Sequence, residues 1–298
     1  KTTLVTDEVM QTMEEIAELA PLHNPAAILG VNACRAVMPR KKMALVFDTS
    51  FHQTMPDYAY LYAIDYDDYK TYQVRKYGAH GTSHKFVSQA AAEYLGKKPE
   101  ELKIITCHLG NGSSISAVDG GKCIDTSMGF TPLAGVPMGT RSGDIDAAAV
   151  EFLCRKKGMN IHDGLTYLNK KCGMLGISGV SSDYRDLTAA AKEGNYRAQL
   201  ALNMFSYACK KYVGSYMAAL GGLDVIVFTA GVGENTPHIR AAILKDMEFF
   251  GIEIDEEKNN YKNDGAIHVI SKDGSRVKVL VIPTNEELVI ARETAALL

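Results

Sequence analysis

The stretch Ile104-Ile105-Thr106-Cys107-His108-Leu109-Gly110-Asn111-Gly112-Ser113-Ser114, continued by Ile115-Ser116-Ala117-Val118, decides how this chain folds. An apolar strand runs into a glycine-bracketed polar loop and then resumes as an alternating strand. Glycines at a strand end let backbone N–H groups approach an anion closely, because no Cβ stands in the way. Asn111, Ser113 and Ser114 add side-chain donors. The same residues also read as an ordinary hairpin, since Asp119-Gly120-Gly121 is a strong turn joining Ser114–Val118 to Lys122–Asp125. The two readings are compatible, and alone the segment favours a phosphate cradle only modestly.

A second glycine loop strengthens it. Asp224-Val225-Ile226-Val227-Phe228-Thr229-Ala230 is an apolar run of strand length, followed by Gly231-Val232-Gly233-Glu234-Asn235 and a helix opening at Thr236-Pro237. Proline suits the first helical position. Ile239, Ala242, Ile243, Met247 and Phe250 recur on one face until Gly251. A strand, a glycine turn and a helix start together make an anion or nucleotide site, with a plain tight turn as the competing reading. Neither a P-loop nor a complete dinucleotide fingerprint is present, because no Gly-Lys-Ser/Thr follows and the third glycine is missing.

Composition narrows the class. The 298 residues include 46% hydrophobic ones and carry a formal charge of −3, which suits a globular chain with room for two lobes sharing a cleft. Without Lys/Arg blocks, nucleic acid is not the expected main partner. No apolar stretch reaches the roughly 18 residues of a membrane span, and no signal peptide is visible. Six dispersed cysteines without a Cys-x-x-Cys pair read as reduced thiols of a cytoplasmic protein.

The element order is α/β. A helix capped near Thr6-Asp7 carries Val9, Met13, Ile16 and Ala20 on one face. A small-residue helix runs from Ala26 to Val37, and Met43–Phe47 forms a buried strand ending at Asp48-Thr49-Ser50. Pro56–Tyr77 is a tyrosine-rich excursion, and Tyr77–His84 leads into a helix through Ala92. Strands occupy 104–125. Helices follow at Asp144–Lys157, His162–Lys170 and Tyr196–Leu220, the last with Ala201, Met204, Phe205, Ala208 and Tyr212 inward. Val277–Ile282 is a strand, and a short helix after Glu287 closes the chain.

Several residues are placed for chemistry. Asp48 follows a strand, the usual edge for active sites in α/β proteins, or it caps a helix. His23, His80, His84 and His108 stand in turn-like segments, where four together favour a shared anion site over isolated structural roles. Arg141 lies in the glycine-flanked loop Met138–Gly143, ready either to clamp a phosphoryl group or to pair with Asp144 or Asp146. Glu286 and Asp183 are candidates for Mg²⁺, or plain surface charges. Two phosphate loops, a strand-end carboxylate, loop histidines and a loop arginine describe phosphoryl transfer best. A serine hydrolase is poorly supported, since no Gly-x-Ser-x-Gly occurs.

From Leu19-Ala20-Pro21-Leu22-His23-Asn24-Pro25 to its end the chain resembles the acetokinase family of the actin-like ATPase superfamily. The resemblance is carried by Phe47–Pro56, Tyr77–His84, His108-Leu109-Gly110-Asn111-Gly112, Met138–Gly143, Gly231–Asn235 and Pro283–Glu287, in that order. It implies two actin-like, ribonuclease H-like lobes with mixed sheets and flanking helices. Residues 1–50, completed by 286–298, would be what remains of the first lobe, and 51–285 the nucleotide-binding second lobe. It implies reversible phosphorylation of acetate by ATP to acetyl phosphate and ADP, with Mg²⁺, by in-line transfer in a cytoplasmic homodimer. By the family's pattern Asp48 is the catalytic carboxylate, and His80 and Arg141 stabilise the transferring phosphoryl. His23 is a further site histidine and Ala79 touches the acyl group. The nucleotide meets His108, Leu109, Gly110, Asn111 and Gly112, then Asp183, Tyr184 and Arg185, then Gly231, Val232, Gly233, Glu234 and Asn235. Glu286 belongs to the magnesium site.

Two departures from the family matter. Its N-terminal Asn-Ala-Gly-Ser-Ser-Ser loop and Gly-His-Arg-Val-Val-His motif do not occur in this sequence, so the expectation is a fragment with an incomplete first lobe and little or no turnover. Ala79 stands where relatives commonly carry Phe, which would enlarge the acyl pocket unless a neighbour fills it. The competing readings are a kinase for a longer acyl acid, propionate or butyrate, and a nucleotide-binding module without catalysis.

Overall fold

The computed structural model describes residues 1–17 and 24–297. Its centre is a mixed sheet whose strands follow from the sequence pattern. The hairpin reading of the opening stretch holds: β3 (Lys103–Leu109) pairs antiparallel with β4 (Ser113–Asp119), and β4 turns at Gly120-Gly121 into β5 (Lys122–Thr126). Both glycines have positive φ, +56° and +77°, which this tight turn demands. On the other side of β3 lies the parallel strand β6 (Val225–Thr229), then the parallel strand β8 (Lys278–Val281), and at the edge the two-residue antiparallel strand β7 (His268–Val269). The order is β5-β4-β3-β6-β8-β7.

Both faces of the sheet are covered, and side-chain alternation sorts residues between them. Ile105, Cys107 and Leu109 of β3, with Ile115 and Ala117 of β4, enter a large core with Phe205, Cys209 and Val213 of the long helix Tyr196–Leu220. Ile104 and Val118 face the opposite way, onto Val87, Ala91 and Ala92 of the helix Gly81–Tyr94. Thr106 and His108, two and four residues after Ile104, share its face, as do Ser114 and Ser116 with Val118. Polar side chains are thus carried into the layer between the sheet and the helix Gly81–Tyr94.

A separate pair of two-residue strands, β1 (Thr3–Leu4) and β2 (Ala44–Leu45), lies near the start of the chain with the helices Asp7–Glu15 and Asn24–Val37. The strand expected over Met43–Phe47 is confined to Ala44–Leu45, because β1 offers only two residues of ladder, and β1 itself carried no signal. Thr6 caps the first helix as expected, but Met10 and Met13 are its buried residues and Ala20 lies outside the described residues. The terminal helix Glu286–Ala295 is clasped to the helix Gly81–Tyr94 by Lys85 and Glu293 at 2.5 Å.

Three expectations need correction. Gly231–Asn235 is not an open glycine turn: Ala230, at φ +64°, leads straight from β6 into the short helix Ala230–Asn235. The helix begun by Pro237 ends at Leu244, since Asp246 takes a left-handed conformation and a 3₁₀ turn follows at Glu248–Phe250. Ile239, Ile243 and Met247 still reach the core, whereas Phe250 is 44% exposed. Met204 also faces outward, because the inward stripe of its helix runs through Ala201, Phe205 and Cys209.

Candidate active site at the ends of the parallel strands

The parallel strands β3, β6 and β8 all end on one edge of the sheet. Gly110–Gly112, Ala230–Asn235 and Pro283–Glu286 therefore emerge side by side, at the carboxyl edge where α/β proteins place ligands. The first loop is built from inside: Gly110 N donates to Gly112 O at 3.0 Å, and Ser113 Oγ bonds Gly110 O at 3.0 Å. Ser113 is thus spent on shaping the loop.

Around this loop stand His80 and Arg141. A Cβ at Gly112 would lie 3.3 Å from His80 Nε2 and 3.7 Å from Arg141 Nη1, so both side chains converge where this glycine has no side chain. His80 is held from several sides. Its φ of +57° sets it at the start of the helix Gly81–Tyr94, its N–H donates to Asp48 Oδ2 at 2.6 Å, and its ring stacks on His108 with centroids 4.0 Å apart. Burial, Arg141 and His52 lower its pKa to about 4, so the imidazole is neutral at pH 7.

Asp48 sits in the turn after β2 and is fixed by Gly81 and Thr82, the first residues of the helix behind His80. Thr82 Oγ1 donates to Asp48 Oδ1 at 3.1 Å, and Gly81 N donates to the Asp48 carbonyl at 2.8 Å. Gly81 is required there, since a Cβ would overlap that carbonyl oxygen. Arg141 is positioned by backbone. Gly139 N donates to Asn111 O at 3.0 Å, and Cys172, Met174 and Leu175 N–H groups bond the carbonyls of Thr140, Met138 and Gly139. The pairing with Asp144 or Asp146 does not form. Asp144 instead accepts from Tyr212 Oη and Gly135 N, and among the described residues Arg141 Nη1 reaches only Pro132 O and Met138 Sδ. An arginine half-removed from water without a carboxylate is built for an anion.

Gly110, Asn111, Asp183, Arg185, Gly231 and Asn235 line one cleft of about 670 Å³. Asp183 caps the helix Tyr184–Lys192 and is forked by Arg185 at 2.6 Å, which lowers its pKa to about 2. It faces this cleft with Arg185. Tyr184 borders the cleft, but its ring packs edge-on against Phe205 at 4.9 Å. Val232 likewise belongs to the core. The helix Ala230–Asn235 is held in place from beneath by Arg240, 1% exposed, whose Nη1 donates to Gly233 O at 2.8 Å and Glu234 O at 2.9 Å. Its Nε and Nη2 bond Asn259. Nothing in the sequence pattern singled out Arg240 beyond its being a lone arginine within an apolar helix stripe, Ile239-Arg240 before Ile243.

Glu286 opens the terminal helix, and burial together with the nearby Asp48 raises its pKa. No basic residue bridges either carboxylate among the described residues. No group of three or more His, Cys, Asp or Glu side chains forms a ready-made metal site there either. Ala79 is buried with Met128 and Met138 in a small apolar cluster beside His80. His23 lies outside the described residues. His84 and His108 join His80, and His52 completes the group through bonds to Cys123 Sγ and Ala79 O.

The Acetokinase family profile matches residues 1–292. The chain belongs to the acetokinase family. An acetate kinase of Thermoanaerobacter pseudethanolicus is 59% identical over 295 residues, covering 99% of this chain and 73% of that protein. The crystal structure of Porphyromonas gingivalis acetate kinase superimposes with a TM-score of 0.95 at 48% identity, covering 99% of this chain and 74% of the other. A propionate kinase from Francisella tularensis gives 0.94 at 43% identity, covering 100% and 76%. The mixed α/β architecture described above is therefore that of acetokinase-family structures. No helix among the described residues is long and apolar enough to cross a membrane.

Proposed function

We propose that this acetokinase-family protein transfers the γ-phosphoryl group of ATP reversibly to the carboxylate of acetate, giving acetyl phosphate and ADP. The observation that carries the reading is the convergence of His80 Nε2 and Arg141 Nη1 on the bare Cα of Gly112. Phosphoryl transfer spreads negative charge over three equatorial oxygens, and preorganised donors at that point lower its barrier most. The nucleotide fits the 670 Å³ cleft, with its phosphates against Gly110–Gly112 and the rest toward Asp183, Arg185 and Gly231–Asn235. Acetate would lie between Asp48 and the apolar cluster of Ala79, Met128 and Met138, opposite the leaving ADP.

The residues present fit a magnesium ion. Glu286 and Asp48 are close enough to repel, and neither has a basic partner among the described residues. Mg²⁺ held there with the ATP phosphates would supply charge neutralisation. Asp48, fixed by His80 N–H and Thr82, orients the acyl acceptor.

The same proposal includes a homodimer in the cytoplasm and a first lobe formed by residues 1–50 with 286–298. The separate β1–β2 pair near the start of the chain is in keeping with a distinct first lobe. A second reading, preference for propionate or another longer acyl acid, is favoured by the small Ala79. Trapping with hydroxylamine tests the activity: the full gene product with ATP, Mg²⁺ and acetate should form acyl hydroxamate. Its failure with acetate and propionate alike, alongside tight ATP binding, would replace the proposal by a non-catalytic nucleotide-binding protein.

A further inference from the structure

His80 is the end of a buried chain of hydrogen bonds. Thr106 Oγ1 lies 2.7 Å from His84 Nδ1, His84 Nε2 lies 2.7 Å from Ser114 Oγ, and Ser114 Oγ lies 2.8 Å from His80 Nδ1. Thr106, His84 and Ser114 are all 0% exposed, so no solvent completes their bonding. The chain is assembled by the period of two along β3 and β4, which turns Thr106 and Ser114 toward the helix carrying His84.

Proton counting fixes the direction of the chain. Among the described residues Thr106 Oγ1 has no hydrogen-bond partner except His84 Nδ1. Pointing its one hydrogen anywhere else would leave a buried donor unsatisfied. Thr106 therefore donates to His84 Nδ1. His84 is neutral, because burial and the surrounding histidines hold its pKa well down, and so its single N–H is on Nε2 and donates to Ser114 Oγ. Ser114 has one hydrogen, which then goes to His80 Nδ1. With Nδ1 accepting that hydrogen, the His80 ring carries its proton on Nε2, the nitrogen that faces Gly112 beside Arg141. The opposite direction would strand the Thr106 hydrogen and aim an imidazole lone pair at the phosphoryl site.

We propose that Thr106, His84 and Ser114 are positioning residues that lock His80 as its Nε2–H tautomer, making it a neutral hydrogen-bond donor to the transferring phosphoryl group. His80 is on this account neither general base nor phosphoryl acceptor. The inference deepens the proposed kinase reading and rests on it for its functional consequence, while the tautomer itself is a property of the fold.

The test is ring-nitrogen NMR of the protein labelled with ¹⁵N-histidine at pH 7, with His80 assigned by difference against His80→Gln. His80 should show a protonated Nε2 and an unprotonated, hydrogen-bonded Nδ1; a protonated Nδ1 overturns the proposal. Thr106→Val, which keeps the shape and removes the donor, should turn the single tautomer into a mixture, and Thr106→Ser should restore it. In the active enzyme kcat of the Val variant should fall by the factor by which the Nε2–H population falls, about twofold for an unbiased chain, with both KM values unchanged. A Val variant with one tautomer and full kcat overturns the proposal. If Thr106→Val does not fold, the wild-type spectrum and Thr106→Ser still decide. An inactive wild type with the predicted tautomer would count against the kinase reading alone.

Discussion

Replacing Gly81 by alanine should separate folding from catalysis. Gly81 is the first residue of the helix Gly81–Tyr94 and its φ is not in the left-handed region, so alanine costs nothing in the backbone. Its Cβ, however, would overlap the Asp48 carbonyl oxygen and stand 3.1 Å from Phe51 Cβ and 3.2 Å from the Asp48 carbonyl carbon, where ordinary contact begins at 3.4 Å. Relief requires the chain at Asp48 to move by about 1 Å, which also breaks the 2.8 Å bond from Gly81 N and tilts the carboxylate away from His80 N–H. Misplacement of that size at a reacting centre costs about 100-fold in rate. Steady-state acyl hydroxamate kinetics on Gly81→Ala should show kcat reduced by about that factor, with little change in KM for ATP, because the Asp183 and Gly231–Asn235 elements lie apart from the clash. Gly214→Ala, at a helical position where no described atom outside its own helix lies within 4 Å, is the control and should keep full activity. A Gly81→Ala enzyme with wild-type kcat and a wild-type melting curve would refute the placement of Asp48.

Gly231→Ala should leave the melting temperature unchanged, since beyond its own helix and chain neighbours no described atom lies within 4 Å of the added methyl, and raise KM for ATP by about 10-fold because that space belongs to the proposed nucleotide cleft; unchanged KM would contradict the cleft assignment. Ala79→Phe should lower the propionate-to-acetate ratio of kcat/KM by about 10-fold or more, and an unchanged ratio would remove Ala79 from the acyl pocket. Arg240→Met leaves the Gly233, Glu234 and Asn259 acceptors bare, so urea denaturation should report a loss of about 3 kcal/mol, and a loss below about 1 kcal/mol would deny Arg240 its supporting role. His52, His80, His84 and His108 all have lowered pKa values, about 4 for His80 and about 3 for His108, mainly through burial. They stay neutral in the fold while the unfolded chain binds protons below about pH 6.5. Stability is therefore full above that pH and is lost on acidification toward pH 4, by at most about 1.4 kcal/mol per pH unit for each such imidazole. Melting curves from pH 7.5 to 5 should fall steeply below pH 6.5, and a flat series would mean that these rings are protonated or exposed.

The sheet was legible because its strands are apolar runs bounded by glycine turns, from Ile104 to Asp125 and again at Val225–Thr229. The two-residue strands Thr3–Leu4 and His268–Val269 were not, since so short a ladder leaves no periodic trace. The helical nature of Gly231–Asn235 was hidden by its two glycines, whose helix propensity is poor and is overridden here by the buried Arg240 capping the carbonyls of Gly233 and Glu234. At the site, Asp48, His80 and Arg141 stood out as polar residues at strand and loop ends. Thr106 and Arg240 did not, because a polar residue within an apolar element reveals its partner only once the neighbouring element is in place, and Ser114, expected as a donor to phosphate, is instead buried between His80 and His84. The role of His52 is hidden in the sequence for the same reason, though it lies in the stretch Phe47–Pro56 that carries the family resemblance.

The central claim is direct transfer of phosphoryl from ATP to a carboxylate at the His80–Arg141–Gly112 point. Phosphorus NMR of ATP, Mg²⁺ and acetate with the full gene product follows every species at once. An acyl phosphate signal and ADP should grow together in equal amounts, and neither should form when acetate is omitted. Release of inorganic phosphate independent of acetate, or ATP left intact, would contradict direct transfer.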